Sequence, residues 1–401
     1  MTDFAVLRAP SQVLFGTGMA EAAGRVAAGY GRRVLVITDP IIAGTPGFAT
    51  VVESLSAMDA TVFTEAAVDV PSSAVDAAAA VGAATEPDVI VAVGGGSVID
   101  LAKVTALLLA HGAPLTDYYA VQSVPGPIVP LVALPTTAGT GSEATPVAVI
   151  TDPSAEMKVG VASPHLIPRH AICDPLLSIG APPTVTAHSG IDALAHAVES
   201  FMAAREEPTP ELVLGRPQVG KNLLSDTLAV TAARHVFRNL ERAVEDGSDL
   251  EARTGMLYGS LLAGIAFGNS GVSAAHALQF ALGAATHTSH GLGTGLLLPY
   301  VMEYNRSARP DEIAELSSLM GGDAVSQAHA LGQTIGLPSS LAEIGVARGN
   351  LRTMAEQSVG IKRLIDNNPR RLDVEALEAI LDAAWHGEPA RLRAVGAGVS
   401  P

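Results

Sequence analysis

Asp192 and His196 stand one helical turn apart in GIDALAHAVES, and His276 and His290 bracket the stretch HALQFALGAATHTSH. Three neutral imidazoles and one carboxylate form an N/O donor set suited to a divalent transition ion such as Fe(II) or Zn(II). Positions i and i+4 project from one face of a helix, so the first pair can grip a single ion without distorting the backbone. Taken alone, that pair reads more readily as a solvated i,i+4 contact. The second pair shifts the balance. His276 in VSAAHALQ and His290 beside the Gly-rich HTSHGLGTG lie among Ala, Leu and Gly, where an unpartnered ring is costly to bury and coordination removes the cost. His287, three residues before His290, stays open as a further ligand, a group behind the ligands, a proton relay or a capped loop histidine.

Two kinds of segment must position these residues. Before Pro182-Pro183, short apolar runs (RVLVIT, DVIVAV, VPLVAL) alternate with Ala-rich stretches that predict helices over about 18–30, 71–84 and 97–110. This is the pattern of a parallel sheet covered by helices. After Pro183 the periodicity is helical almost throughout, as in SDTLAVTAARHVFRNLERAVE. The fold class expected is therefore α/β plus all-α: a Rossmann-like nucleotide domain over residues 1–182 and a helical metal-binding domain over 183–401. The Pro- and Gly-rich REEPTPELVLGRPQVGKN reads as an inserted loop over 205–222.

The first segment carries two nucleotide signals. VAVGGGSVIDLAK runs strand, Gly94-Gly95-Gly96-Ser97, then helix, which brings backbone N–H groups and a helix N-terminus to a pyrophosphate. Such a turn can also serve only close strand-to-helix packing. Asp39, ending RVLVITD, is placed to accept from ribose hydroxyls and to repel a 2′-phosphate, or simply to cap a helix. Together they favour NAD over NADP. A third run, ALPTTAGTGSEATPVAVITD, sets Thr136, Thr137, Thr140 and Ser142 after an apolar strand, where a ligand of an α/β sheet is met.

Composition bounds the rest. A chain of 401 residues predicts two domains. A net charge of −16 argues against nucleic acid or an anionic membrane as partner. The single Cys173 precludes an intramolecular disulfide framework. With an N-terminus that lacks a signal-like pattern and apolar runs too short to span a bilayer, a cytoplasmic protein is expected.

GGGSVIDLAK, PTTAGTGSE, GIDALAHAVES and the His276/His290 pair occur in the order and context of the iron-dependent (group III) alcohol dehydrogenases, which the chain resembles from about Val13 to at least Asn305. The resemblance implies Asp192, His196, His276 and His290 as ligands of Fe(II), with Zn(II) the alternative ion. It implies an NAD(H) site on Asp39, Gly95, Gly96, Ser97, Asp100, Thr136, Thr137, Thr140, Ser142 and Lys158, the last also readable as a solvated lysine. It further implies a two-domain, dehydroquinate synthase-like architecture with the active site in the cleft, and homo-oligomers. One departure stands out. Many members carry a further histidine four positions after the ligand matching His276, where this chain has Phe280. Phe280 then reads as an apolar wall, with proton transfer left to His287, a hydroxyl, the cofactor ribose or water.

The activity so implied is NAD-linked interconversion of a small primary alcohol and its aldehyde, the metal polarising the substrate oxygen. GRPQVGKNLLSD with GIAFGNSGV also resembles the hydroxyacid-oxoacid transhydrogenase branch, so a carboxylated or phosphonated aldehyde is the alternative substrate. Arg216 and Lys221 could meet its acidic group, or be solvated loop charges. A metal-dependent lyase and a non-catalytic nucleotide-binding protein are the remaining readings.

Overall fold

A computed structural model describes residues 4–112, 114–119, 123–154 and 158–395; the outermost positions of both expected segments, 1–3 and 396–401, lie outside the described residues. Six strands form one sheet: β1 (Gln12–Phe15), β2 (Arg33–Ile37), β3 (Asp59–Phe63), β4 (Val89–Gly94), β5 (Leu131–Pro135) and, after a hairpin of β6 (Val147–Ile150) and β7 (Val159–Ala162), β8 (His170–Cys173). Their order is β1-β8-β5-β4-β2-β3 and every pairing in it is parallel, whereas β6 and β7 pair antiparallel. β4 is buried at all six positions, as a central strand covered on both faces must be. Leu35, Ile37, Ile90 and Ala92 face one core with the Gly96–His111 helix, and Val34, Val36, Val91 and Val93 face the other with Ala23, Phe48 and Val51.

This order puts a switch point between β2 and β4. From β2 the chain moves outward to β3 at one edge, and from β4 it moves the other way to β5. Connections that diverge from neighbouring strands leave a crevice at their carboxyl ends, where α/β sheets bind ligands. Asp39 follows β2, the triple glycine ends β4, and Thr136 follows β5 with its N–H donating to the Gly94 carbonyl at 3.0 Å.

From Pro183 on, the described residues are helical. The long helices Pro183–Met202, Leu223–Glu245 and Leu250–Ser270 pack through Ala-rich faces into one core, and Ala274–Thr286 and His290–Asn305 join the C-terminal helices in a second. The helical part meets the sheet where Leu257, Leu261 and Ile265 pack on Ala144, Ala171 and Cys173. No single helix among the described residues is long and apolar enough to cross a membrane; the pair Leu250–Ser270 and Ala274–Thr286 qualifies only jointly and is bent by 102°. That bend turns the chain back toward the 183–202 helix.

The expected helix at 18–30 is instead a 3-10 turn, Met19–Ala22, after the left-handed Gly18, followed by Ala23–Ala27, which ends in tight turns where the Gly29 and Tyr30 N–H groups donate to the Val26 and Ala27 carbonyls. The inserted segment is not wholly loop: Pro210–Gly215 is a short helix that Thr209 caps by accepting from the Leu212 N–H.

Candidate metal and nucleotide site

The 183–202 helix opens with proline at its N-terminus and then runs through Ala, Val and Leu, and its inner face carries Asp192, His196 and Glu199 at i, i+4 and i+7. His276 enters in the first turn of the 274–286 helix and His290 is the first residue of the 290–305 helix. Three separate helices thus bring Asp192, His196, His276 and His290 together, with one ligand atom from each inside 4.8 Å of the others. Close docking requires Gly291, since a Cβ there would stand 2.0 Å from the His188 carbonyl oxygen.

The distances favour a shared ion over direct bonds. Asp192 Oδ1 lies 3.7 Å from both His276 Nε2 and His290 Nε2. That exceeds a hydrogen bond, and is close to the roughly 3.4 Å edge of a tetrahedron with 2.1 Å bonds. Two of the other ring nitrogens are held. His276 Nδ1 donates to Glu199 Oε2 at 2.6 Å, and His196 Nδ1 to the Gly139 carbonyl at 3.3 Å. Each bond leaves Nε2 with its lone pair. His276 Nε2 is buried with no hydrogen-bond partner among the described residues, an orphan that a cation would satisfy. The His196 ring lies flat on Phe267, centroids 4.1 Å apart.

Electrostatics agree with that chemistry. Burial pushes His196 down to about 4, so its imidazole is neutral and available at pH 7. Burial alone would raise Asp192, but the three imidazoles and the Thr294 hydroxyl, which donates to Oδ1 at 2.8 Å, outweigh it and hold the carboxylate ionised. His290 is the most exposed of the four candidates, its side chain 40% exposed.

Glu199 is the residue sequence reasoning missed. Its two oxygens accept from the Ser273 N–H and hydroxyl, the Ala275 N–H and His276 Nδ1, so one buried carboxylate anchors the start of the 274–286 helix and aims a ligand. Burial opposes its charge, yet the His276 hydrogen bond and these backbone donors keep its pKa below the ordinary value. The signal was its place seven residues beyond Asp192. Glu199→Gln is expected to weaken metal binding by about 10- to 100-fold, as loss of a carboxylate behind a histidine ligand does. A chelator-competition titration checks this, and unchanged affinity would count against the role.

At the sheet edge, Gly96 opens the 96–111 helix so close to Thr140 that a Cβ would stand 2.6 Å from its methyl, whereas Gly95 faces Thr137 at an ordinary 3.4 Å. Ser97 Oγ accepts from the Asp69 N–H at 3.2 Å, and Lys158 Nζ pairs with Asp69 at 2.6 Å. Asp39 Oδ1 caps the next turn by accepting from the Ile41 and Ile42 N–H groups, while no donor among the described residues meets its Oδ2. Asp100 and Ser142 are bound to each other at 2.5 Å, and Asp100 Oδ2 accepts from the Val149 N–H. Both brace the Thr136–Thr145 loop around the buried Lys103.

Other expected residues sit elsewhere. His287 is exposed at the left-handed C-cap of the 274–286 helix, outside the four-residue cluster. Phe280, one turn beyond His276, is half-buried at the edge of the second helical core. Arg216 and Lys221 are not placed to catch a substrate anion. Arg216 pairs with Glu206 at 3.1 Å, and Lys221 is buried against Asp226 at 2.9 Å and Glu312 at 3.3 Å.

A parallel sheet with a glycine turn at its switch point, packed against helices that carry a buried cluster of one aspartate and three histidines, is an arrangement suited to a nucleotide and a metal ion. Sequence models place the chain more closely: iron-containing alcohol dehydrogenase matches residues 10–175, and the C-terminal part of that family residues 186–385. The chain belongs to the iron-containing alcohol dehydrogenase family, whose members are NAD-dependent enzymes acting on alcohols and aldehydes. It is 34% identical over 373 residues to long-chain-alcohol dehydrogenase 1 of Geobacillus thermodenitrificans, covering 89% of this chain and 90% of the relative. It is 31% identical over 393 residues to sulfoacetaldehyde reductase of Bilophila wadsworthia, covering 93% and 97%. The crystal structure of a 1,3-propanediol oxidoreductase superposes with a TM-score of 0.88 at 31% identity, over 95% of this chain and 100% of that one.

Proposed function

We propose that residues 183–401 hold one divalent ion, Fe(II) in preference to Zn(II), on Asp192, His196, His276 and His290, and that residues 1–182 bind NAD(H) at the carboxyl edge of the sheet. The observation that carries the metal assignment is the buried, unpartnered His276 Nε2 at 3.7 Å from Asp192 Oδ1. Held by these four side chains, an ion would supply positive charge beside the substrate oxygen, and a nicotinamide bound at the sheet would supply the redox chemistry. The reaction is interconversion of a small alcohol and its aldehyde, consistent with relatives named for long-chain alcohols and for sulfoacetaldehyde.

The chain's own residues then divide the work. Gly95 and Gly96 let backbone N–H groups approach the pyrophosphate, with Ser97, Thr137 and Thr140 beside them. Asp39, with Oδ1 taken up by the Ile41 and Ile42 N–H groups, would offer Oδ2 to ribose hydroxyls and repel a 2′-phosphate. Asp100 and Ser142, tied to Lys103, hold the threonine loop in place, and Lys158 pairs with Asp69, whose N–H meets Ser97. Phe280, half-buried one turn beyond His276, would supply an apolar wall, and His287 stays exposed outside the four-residue cluster.

Removing metal with a chelator and restoring Fe(II) without oxygen tests this. NADH oxidation with an aldehyde is expected to vanish and return, while NADH binding by fluorescence persists throughout. Full turnover with metal far below one equivalent would sink the assignment.

A further inference from the structure

Because Arg216 and Lys221 are held by Glu206, Asp226 and Glu312, an acidic substrate group needs another cation. In a chain with 40 acidic and 24 basic side chains, Arg363 is paired with no carboxylate among the described residues. Its hydrogen bond is to a neutral group: Nη1 donates to Gln218 Oε1 at 3.0 Å. The side chain is exposed, which leaves the other guanidinium N–H groups open to a ligand.

Two hydrogen bonds tie this segment to the stretch of chain that leads into the metal-ligand cluster. Gln218 Nε2 donates to the Phe267 carbonyl at 3.1 Å, and the Phe267 ring is the one stacked on His196. Asn367, four residues beyond Arg363, donates to the Val272 carbonyl at 3.1 Å, in the turn that leads to His276. Gly271, at φ 88°, lets these strands of chain meet, since a Cβ there would stand 2.8 Å from Asn367 Nδ2 and 3.7 Å from Gln218 Cβ. The amide of Gln218 therefore joins Arg363 to the residue packed on a candidate ligand.

From this placement we infer that Arg363, oriented by Gln218, binds the acidic group of an anionic substrate whose alcohol or aldehyde end lies at the Asp192, His196, His276 and His290 cluster. The inference rests on the dehydrogenase reading above and narrows its substrate class to small aldehydes and alcohols bearing a carboxylate, sulfonate or phosphonate. The planar guanidinium suits such oxyanions because its N–H groups can donate in pairs. A net charge of −16 repels anions at long range, so only a local fork can select one. The neutral Gln218 partner orients the fork without neutralising it.

The test is NADH oxidation by Fe(II)-loaded protein with aldehydes of matched chain length, one neutral and others carrying a carboxylate, a sulfonate or a phosphonate. The wild type is expected to favour an anionic member in kcat/KM, and the arm that leads identifies the acid. Arg363→Gln is expected to lower the anionic-to-neutral ratio by about 10- to 100-fold, the range of one charge-assisted contact. Arg363→Lys should recover part of it, and Arg216→Gln should leave the ratio as it was. Short saturated carboxylates should also inhibit the wild type in competition with aldehyde, a readout that needs no variant to fold. A wild type that prefers neutral aldehydes, an undiminished ratio in Arg363→Gln, or no competition by carboxylates would each overturn the inference while leaving the dehydrogenase reading intact. Absence of turnover on every aldehyde, neutral ones included, would instead overturn that reading.

Discussion

Replacing His276 by alanine is expected to lower aldehyde reduction by about a thousand-fold or more, because the charge stabilisation a metal offers an alkoxide amounts to several kcal/mol. The structural cost falls on Glu199, which loses the His276 Nδ1 bond at 2.6 Å but keeps its bonds from Ser273 and Ala275, so the variant is expected to be less stable yet folded. The decisive reading is thermal. Fe(II) should raise the melting temperature of the wild type, since a ligand that binds only the folded state stabilises it, and should not move that of the variant. NADH affinity should be retained in both. Stoichiometric iron and a metal-dependent melting shift in His276→Ala would overturn the ligand assignment, whatever the activity.

Legibility from sequence followed the reach of the contacts. Asp192 and His196 could be read together because one helix fixes their geometry within a single turn. Glu199 belongs to the same face, but a glutamate in an Ala-rich helix ordinarily points to water. Its burial depends on the 274–286 helix starting where it does, and no local pattern reports that. β2, β4 and β5 announced themselves as apolar runs because both faces of a central parallel strand are buried. The edge strand β3, DATVF, has one buried residue in five and carries no such pattern. Lys221 misled for a related reason. A lysine after a Pro- and Gly-rich segment looks solvated, and only folding reveals that Glu312 and Asp226 enclose it.

Lys103 passed unremarked in GGGSVIDLAK and proves to be a fully buried cation in the sheet domain. Its Nζ lies 2.8 Å from Ser142 Oγ, 3.0 Å from Thr145 Oγ1, 3.1 Å from the Thr145 carbonyl and 2.7 Å from the Val147 carbonyl. Asp100 stands 3.7 Å away and shares Ser142 with it. Burial pulls the lysine down to about 8, with Asp100 and then Glu143 the main opposing charges. Lys103→Met fills similar space but leaves Asp100 without its counter-charge and Ser142 and Thr145 without a donor. Breaking a buried pair from one side costs about 3–5 kcal/mol, so the denaturant midpoint should fall sharply. The same change frees the loop that carries Thr136, Thr137 and Thr140, so NADH binding should weaken while the Asp192 cluster, held by separate helices, still takes up metal. Lys103→Met, Asp100→Asn should be less damaged than Lys103→Met alone, because the uncompensated charge is removed. A double variant no more stable than the single would show that the pair is not coupled, and that packing rather than charge ties this helix to the loop.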